Sequence, residues 1–125
     1  MLKVIPMSKA AEQERVCLIS GLKYDRSQFA YAVYDDDKVC GAAQFYIKEN
    51  IGYISDLKTV DENDSELVML LGRSVLNFLD LHGIEEVYFE KNGGYYENAA
   101  KIIGFSIKNG NKYAYLPGMF TSQGH

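Results

Sequence analysis

The chain predicts an α+β fold, an α/β/α sandwich whose mixed, mostly antiparallel central sheet carries helices on both faces. Three observations lead there: three strands joined by short turns between Gln28 and Val60, a strand-helix-strand crossover from Ile51 to Glu90, and a closing hairpin that turns at Asn109-Gly110. Short turns force neighbouring strands antiparallel, whereas a connection through a long helix sets two strands parallel. With 125 residues, 47% of them hydrophobic, the chain is expected to be one domain, residues 1-125, that needs no disulfide or metal to hold it.

Leu2 to Pro6 alternates as a short strand. Ser8 is placed to cap a helix with Ala10, Ala11, Val16, Cys17 and Ile19 as apolar members, and Gly21 ends it. Residues 22–27 are polar and irregular, and Gln28 to Tyr34 reads as a strand. Asp35-Asp36-Asp37-Lys38 turns the chain into Val39 to Lys48, and Glu49-Asn50 turns it into Ile51 to Val60. Leu67, Val68, Leu70, Leu71, Val75, Phe78 and Leu79 recur at amphipathic spacing within a helix from Ser65 to His82, with Arg73, Asn77 and Asp80 on its wet face. Gly83 follows the helix end, and Ile84 to Glu90 is a short apolar strand of the kind found inside a sheet. Beyond Asn92-Gly93-Gly94 a short helix through Tyr96, Ala99, Ala100 and Ile103 breaks at Gly104-Phe105. The hairpin of Phe105 to Lys108 and Lys112 to Leu116 turns at Asn109-Gly110, a pair that readily accepts positive φ.

A net charge of −4 argues against nonspecific binding to nucleic acid, which relies on Lys and Arg neutralising phosphates. No apolar run approaches membrane-spanning length and no signal peptide opens the chain, so the expected location is the cytoplasm. Cys17 and Cys40 read as reduced packing residues, and His82 and His125 stand alone, so no metal is expected. Small molecules or proteins are the expected partners, and Tyr113 to Phe120, as an edge strand, makes a homodimer a candidate assembly.

The order of elements resembles the GNAT superfamily of N-acetyltransferases. Three patches carry the resemblance: Asp36-Asp37-Lys38-Val39-Cys40-Gly41 at the start of a strand, Ser74 to Phe89 as helix, Gly-Ile and strand, and Asn98 to Phe105 as a helix ending in Gly-Phe. The resemblance covers residues 28–118. It implies that acetyl-CoA lies in a gap where the strand from Ile51 and the strand from Ile84 part, with its diphosphate on amides at the start of the long helix, at Ser65, Leu67 and Val68. It also implies that backbone groups of Leu57 and Thr59 pair with the pantetheine arm and that Asn92 meets it. The acceptor would be a small-molecule or peptide amine.

Here the phosphate-binding stretch departs from the family pattern of a Gln or Arg followed by glycines. Asp61-Glu62-Asn63-Asp64-Ser65-Glu66 holds four carboxylates with no Gly, Lys or Arg. Glycine lets backbone amides approach a phosphate without a Cβ in the way. Like charges 4 Å apart repel by about 1 kcal/mol in water and about 4 at an effective dielectric near 20, against roughly 0.3 to 1 from the helix dipole. The expectation is therefore weak acetyl-CoA binding or none, with Asp64 or Ser65 serving as N-cap and Glu66 as a first-turn acid. The usual acid, a Tyr five residues before the Phe of Gly-Phe, falls on Ala100, which leaves Tyr96 (or Tyr95) as the hydroxyl donor. Asp56 and Glu90 are the candidate bases, flanking the gap. Two readings stay open at this point: an N-acetyltransferase, or a catalytically silent GNAT-like binding or interaction module.

Overall fold

The computed structural model describes residues 1–120; His125 lies outside them. Seven strands form one sheet in the order β1 (Leu2–Pro6), β2 (Phe29–Asp35), β3 (Lys38–Lys48), β4 (Ile51–Thr59), β5 (Glu86–Phe89), β7 (Asn111–Tyr115), β6 (Ser106–Lys108). Pairing is antiparallel throughout except between β4 and β5, which run parallel because α2 (Ser65–Leu81) connects them. The hairpin therefore folds back so that β7 lies inside the sheet and β6 forms its edge. The expectation of an edge at Tyr113 to Phe120 is corrected, because the Tyr113 strand pairs with β5 on one side and β6 on the other.

Alternation along β2 and β3 feeds two cores. Val33 and Ala43 face α2 and α3 (Gly94–Ile103) with Phe45, Ile54, Leu57, Leu71, Val75 and Ile103, while Ala32 and Ala42 face α1 (Ala10–Ser20) with Val16, Cys17 and Leu22. Helix α1 begins without a side-chain cap: Lys9, not Ser8, occupies the N-cap position, and Gly21 closes the helix with φ of 84°. Arg73 is also not on the wet face of α2. Its Nε donates to Ile103 O at 2.6 Å, tying α2 to the last turn of α3. No helix among the described residues is long and apolar enough to cross a membrane.

Two irregularities shape the centre of the sheet. At Gly41 a Cβ would sit 2.9 Å from Lys58 O and 3.1 Å from Thr59 Cα, so a bare backbone is needed where β3 passes β4. Opposite Gln44 the register slips: Gln44 faces Asp56 and Phe45 faces Ile54, leaving Ser55 as an extra residue in β4. Such a bulge bends the strand that carries it.

Replacing Gly41 by Ala is expected to destabilise the fold by about 1–3 kcal/mol, read as a lower denaturant midpoint at unchanged slope. The buried Cys17 offers a second measurement, since burial, with the Asp56 charge added, pushes its thiol from 9.0 up to about 11. A pKa raised on folding stabilises fully below the unfolded value and is lost as pH climbs through the folded one. Stability should thus hold to about pH 9 and fall toward pH 11. At pH 8 an aromatic disulfide reagent should modify Cys40 readily and Cys17 only after denaturation.

Candidate functional site

Pairing between β4 and β5 runs from Gly52–Val87 to Ile54–Phe89 and ends with Glu90 N donating to Ile54 O at 2.9 Å. The next residue is the bulged Ser55. Beyond it β4 continues to Thr59 against β3 alone, and the chain after β5 turns away into Lys91, so a gap opens. The amides of Leu57 and Thr59 point into it. Leu57 N donates to Asp56 Oδ1 at 2.9 Å, and Thr59 N donates to the Tyr95 hydroxyl at 3.0 Å.

Two adjacent tyrosines at the start of α3 reach into this gap. Tyr95 Oη also lies 3.1 Å from Thr59 Oγ1, which donates onward to Asp61 O at 2.8 Å. Tyr96 stands against Phe89; burial, with the charge of Asp56 added, raises its pKa and keeps it protonated. Ala100, at the family's usual tyrosine position, is buried between the helices.

Asp56 is 8% exposed, with Lys91 Nζ 3.8 Å from its Oδ2. It opens onto a cleft of about 580 Å³ on the α1 side of the sheet, walled by Lys23, Tyr24 and Arg26 and floored by Gln44 and Ser55. The wall is the segment the sequence left irregular, and two buried glutamines fasten it. Gln44 accepts from Asp25 N at 2.8 Å and donates to Lys23 O at 2.7 Å, while Gln13 Nε2 reaches Gln28 O at 3.2 Å and Gln44 Oε1 at 3.3 Å.

Other expected residues sit elsewhere. Glu90 accepts from the Tyr46 hydroxyl at 2.9 Å, at the end of an in-register row of Tyr46, Tyr53, Tyr88 and Tyr113 across four strands. Burial, with Glu90 added, pushes Tyr46 up to about 12. Asn92 Oδ1 receives Lys112 Nζ at 2.7 Å, and the same ammonium, 5% exposed, binds Lys91 O at 2.9 Å and Glu97 Oε2 at 2.6 Å. Asn92 thus serves to anchor its own loop.

At the start of α2, Asp64 is the N-cap. Its carboxylate accepts from Leu67 N at 3.1 Å and its carbonyl from Val68 N at 3.2 Å. Two of the three amides expected to meet a phosphate, those of Leu67 and Val68, are thus already taken. Glu62 pairs with Lys58 at 3.4 Å, Asp61 Oδ1 accepts from Asn63 N at 3.0 Å, and Ser65 and Glu66 are exposed. The crevice between α2 and α3 measures about 100 Å³ and is lined by Ser65, Val68 and Tyr95.

Lys91, Gln44 and Lys112 were not among the sequence candidates, and Tyr95 was one only as a hydroxyl donor, not as a partner of Thr59. Gln44 carried a signal, a polar residue inside the apolar strand run Ala42 to Phe45. Lys112 carried another, since it alternates in phase with the inward Ala114 and Leu116. Nothing local marks Lys91.

No protein-family model and no curated protein matches the sequence. Solved structures match its fold. An N-acetyltransferase from Staphylococcus aureus Mu50 is 12% identical with a TM-score of 0.72, covering 94% of this chain and 99% of its own. A Bacillus subtilis acetyltransferase in complex with CoA is 12% identical with a TM-score of 0.71, covering 93% and 99%. A GNAT family acetyltransferase from Brucella melitensis in complex with acetyl-CoA is 15% identical with a TM-score of 0.64, covering 92% and 88%. At such identities the likeness is one of fold, and the chain has the GNAT fold.

Replacing Gln44 by Ala removes the partners of Asp25 N and Lys23 O. The expected cost is about 1–3 kcal/mol, together with faster amide exchange at Asp25. Unchanged exchange there would show that Gln44 does not hold the wall.

Proposed function

We propose that this chain is a GNAT-type N-acetyltransferase that moves an acetyl group from acetyl-CoA to a small-molecule or peptide amine. The observation that supports this best is the meeting of a small-molecule-sized cleft with the β4–β5 gap at one buried carboxylate, Asp56, which lines the cleft and accepts from the Leu57 amide in the gap. Acetyl-CoA, when bound, supplies the thioester carbonyl that the amine attacks and the thiol that leaves.

The chain fits the two parts of that molecule unequally. Along β4 the amides of Leu57 and Thr59 face the gap, each bonded to a side-chain oxygen that a pantetheine carbonyl can replace. At the start of α2 the diphosphate meets amides already bonded to Asp64, an exposed Glu66, and a Lys58 already paired with Glu62. The arm is accommodated and the diphosphate is held poorly, so the affinity we expect is weak.

In the proton path, Asp56 Oδ2 faces the cleft and takes the proton released by the amine. Tyr96, kept protonated by burial and by the charge of Asp56, is the donor on the gap side. The Lys91 ammonium beside Oδ2 orients the carboxylate toward the cleft mouth. Glu90, bonded to Tyr46, stands second to Asp56 as a base. A GNAT-fold module that binds without transferring is the second reading, favoured by the filling of the gap by Tyr95.

Thermal shift and calorimetry with acetyl-CoA separate the two, and no stabilisation at millimolar concentration sinks the enzyme reading. If transfer is found, Asp56→Asn should lower its rate at saturating acetyl-CoA by roughly 10² to 10⁴. Glu66→Lys should tighten acetyl-CoA several-fold, by removing a like charge worth about 1 kcal/mol in water, with the gain shrinking at high salt. An affinity that does not respond would place the Glu66 side chain facing away from the diphosphate.

A further inference from the structure

We propose that Tyr95 is an internal competitor for the donor's place: its hydroxyl occupies the β4 backbone site at Thr59, and the acyl donor binds only when that side chain swings out. The inference rests on the acetyl-CoA reading above. It concerns a residue that the reading leaves without a role.

The geometry has four parts. First, the Thr59 amide is an edge amide left unpaired by the parting of β4 from β5, and a buried N–H in that position requires an acceptor. Tyr95 supplies it at 3.0 Å, with the oxygen also 3.1 Å from Thr59 Oγ1, so the hydroxyl sits where an amide carbonyl would be received. Second, the same ring lines the crevice toward the start of α2, which at about 100 Å³ lies well below the roughly 300 to 1,000 Å³ of small-molecule sites. One side chain thus closes both the slot along β4 and its continuation toward the helix start.

Third, the backbone next to Tyr95 is uncrowded. Gly93, at φ of 114°, and Gly94 have nothing within 4 Å of where a Cβ would lie, and Gly93 supplies no side-chain cap to α3. Fourth, the flanking loop is anchored, since Lys112 binds Lys91 O, Asn92 and Glu97. Opening is therefore a movement of the Tyr95 side chain, with small changes at the two glycines, rather than an unfolding of the loop. A ligand that must first displace this contact has an apparent affinity reduced by the fraction of molecules already open.

The test uses the full chain with Tyr95→Phe and Tyr95→Ala, and two readouts. Amide exchange at Thr59, measured without ligand, should quicken in Tyr95→Phe, which keeps the ring and deletes only the acceptor. Calorimetry with CoA should show about tenfold tighter binding in Tyr95→Phe, as expected for loss of a hydrogen bond that favours the closed form, and tighter still in Tyr95→Ala. If Tyr95→Ala fails to fold, Tyr95→Phe carries the comparison alone. Unchanged Thr59 exchange overturns the contact. Equal CoA affinity in wild type and variants overturns the competition while leaving the donor reading intact, and absence of binding in all three chains overturns both together.

Discussion

Ser55 has no ladder partner on β3, and that single inserted residue governs the functional half of the molecule. The bulge it makes falls directly after Ile54, the last residue of β4 to pair with β5. Up to that point the two strands share a parallel ladder, and past it β4 bends with β3 while the chain from β5 turns into Lys91. Two backbone amides are released from the ladder as a result. The bulge also sets Asp56 opposite Gln44, so the carboxylate faces the α1 side while Leu57 returns to the core. Gap, amides outside the ladder and inward-facing acid all follow from the one inserted residue.

Polar groups that leave water then decide how the surroundings of the gap are arranged. Gln44 is 1% exposed, and it with Gln13 satisfies the backbone of residues 23–28, turning a glycine-free, irregular segment into a fixed wall. Lys112 does the equivalent on the other side, spending its three donors on Lys91, Asn92 and Glu97. A buried ammonium with fewer partners would be costly, which ties the first turn of α3 to β7. Tyr95 and Tyr96 are delivered to the gap by that attachment. The residues nearest the chemistry are thus placed by buried hydrogen bonds contributed from distant strands.

The acid-rich lead into α2 takes on a definite structural role. Asp64 caps Leu67, Asp61 closes a turn on Asn63, and Glu62 pairs with Lys58. Each carboxylate with a local partner satisfies a donor that a phosphate would otherwise meet. Helix start and anion site compete for the same amides, and here the chain's own acids occupy them. The weakness expected at the diphosphate and the closure by Tyr95 act on opposite ends of one slot.

Periodicity and turn chemistry in the sequence were enough to place the elements, because they depend on neighbours a few positions apart. The 3.6-residue spacing from Leu67 to Leu79 identified α2, Asn109-Gly110 placed the last hairpin, Gly83 marked the end of α2, and the short turns made the meander. The same local rules narrowed the cap of α2 to Asp64 or Ser65, of which the structure uses Asp64, while the place of Ala100 came from the resemblance to the GNAT superfamily. They did not reach contacts between residues far apart in the chain: Tyr95 with Thr59, 36 positions away, Gln44 with Lys23, or Lys112 with Glu97. Nor did they find Ser55, since a bulge is a relation between two strands and Ser55 alone looks like any other strand residue. Which strands pair inside the sheet, which face Asp56 takes, and what fills the gap were decided only when burial forced each unpaired polar group to find a partner in three dimensions.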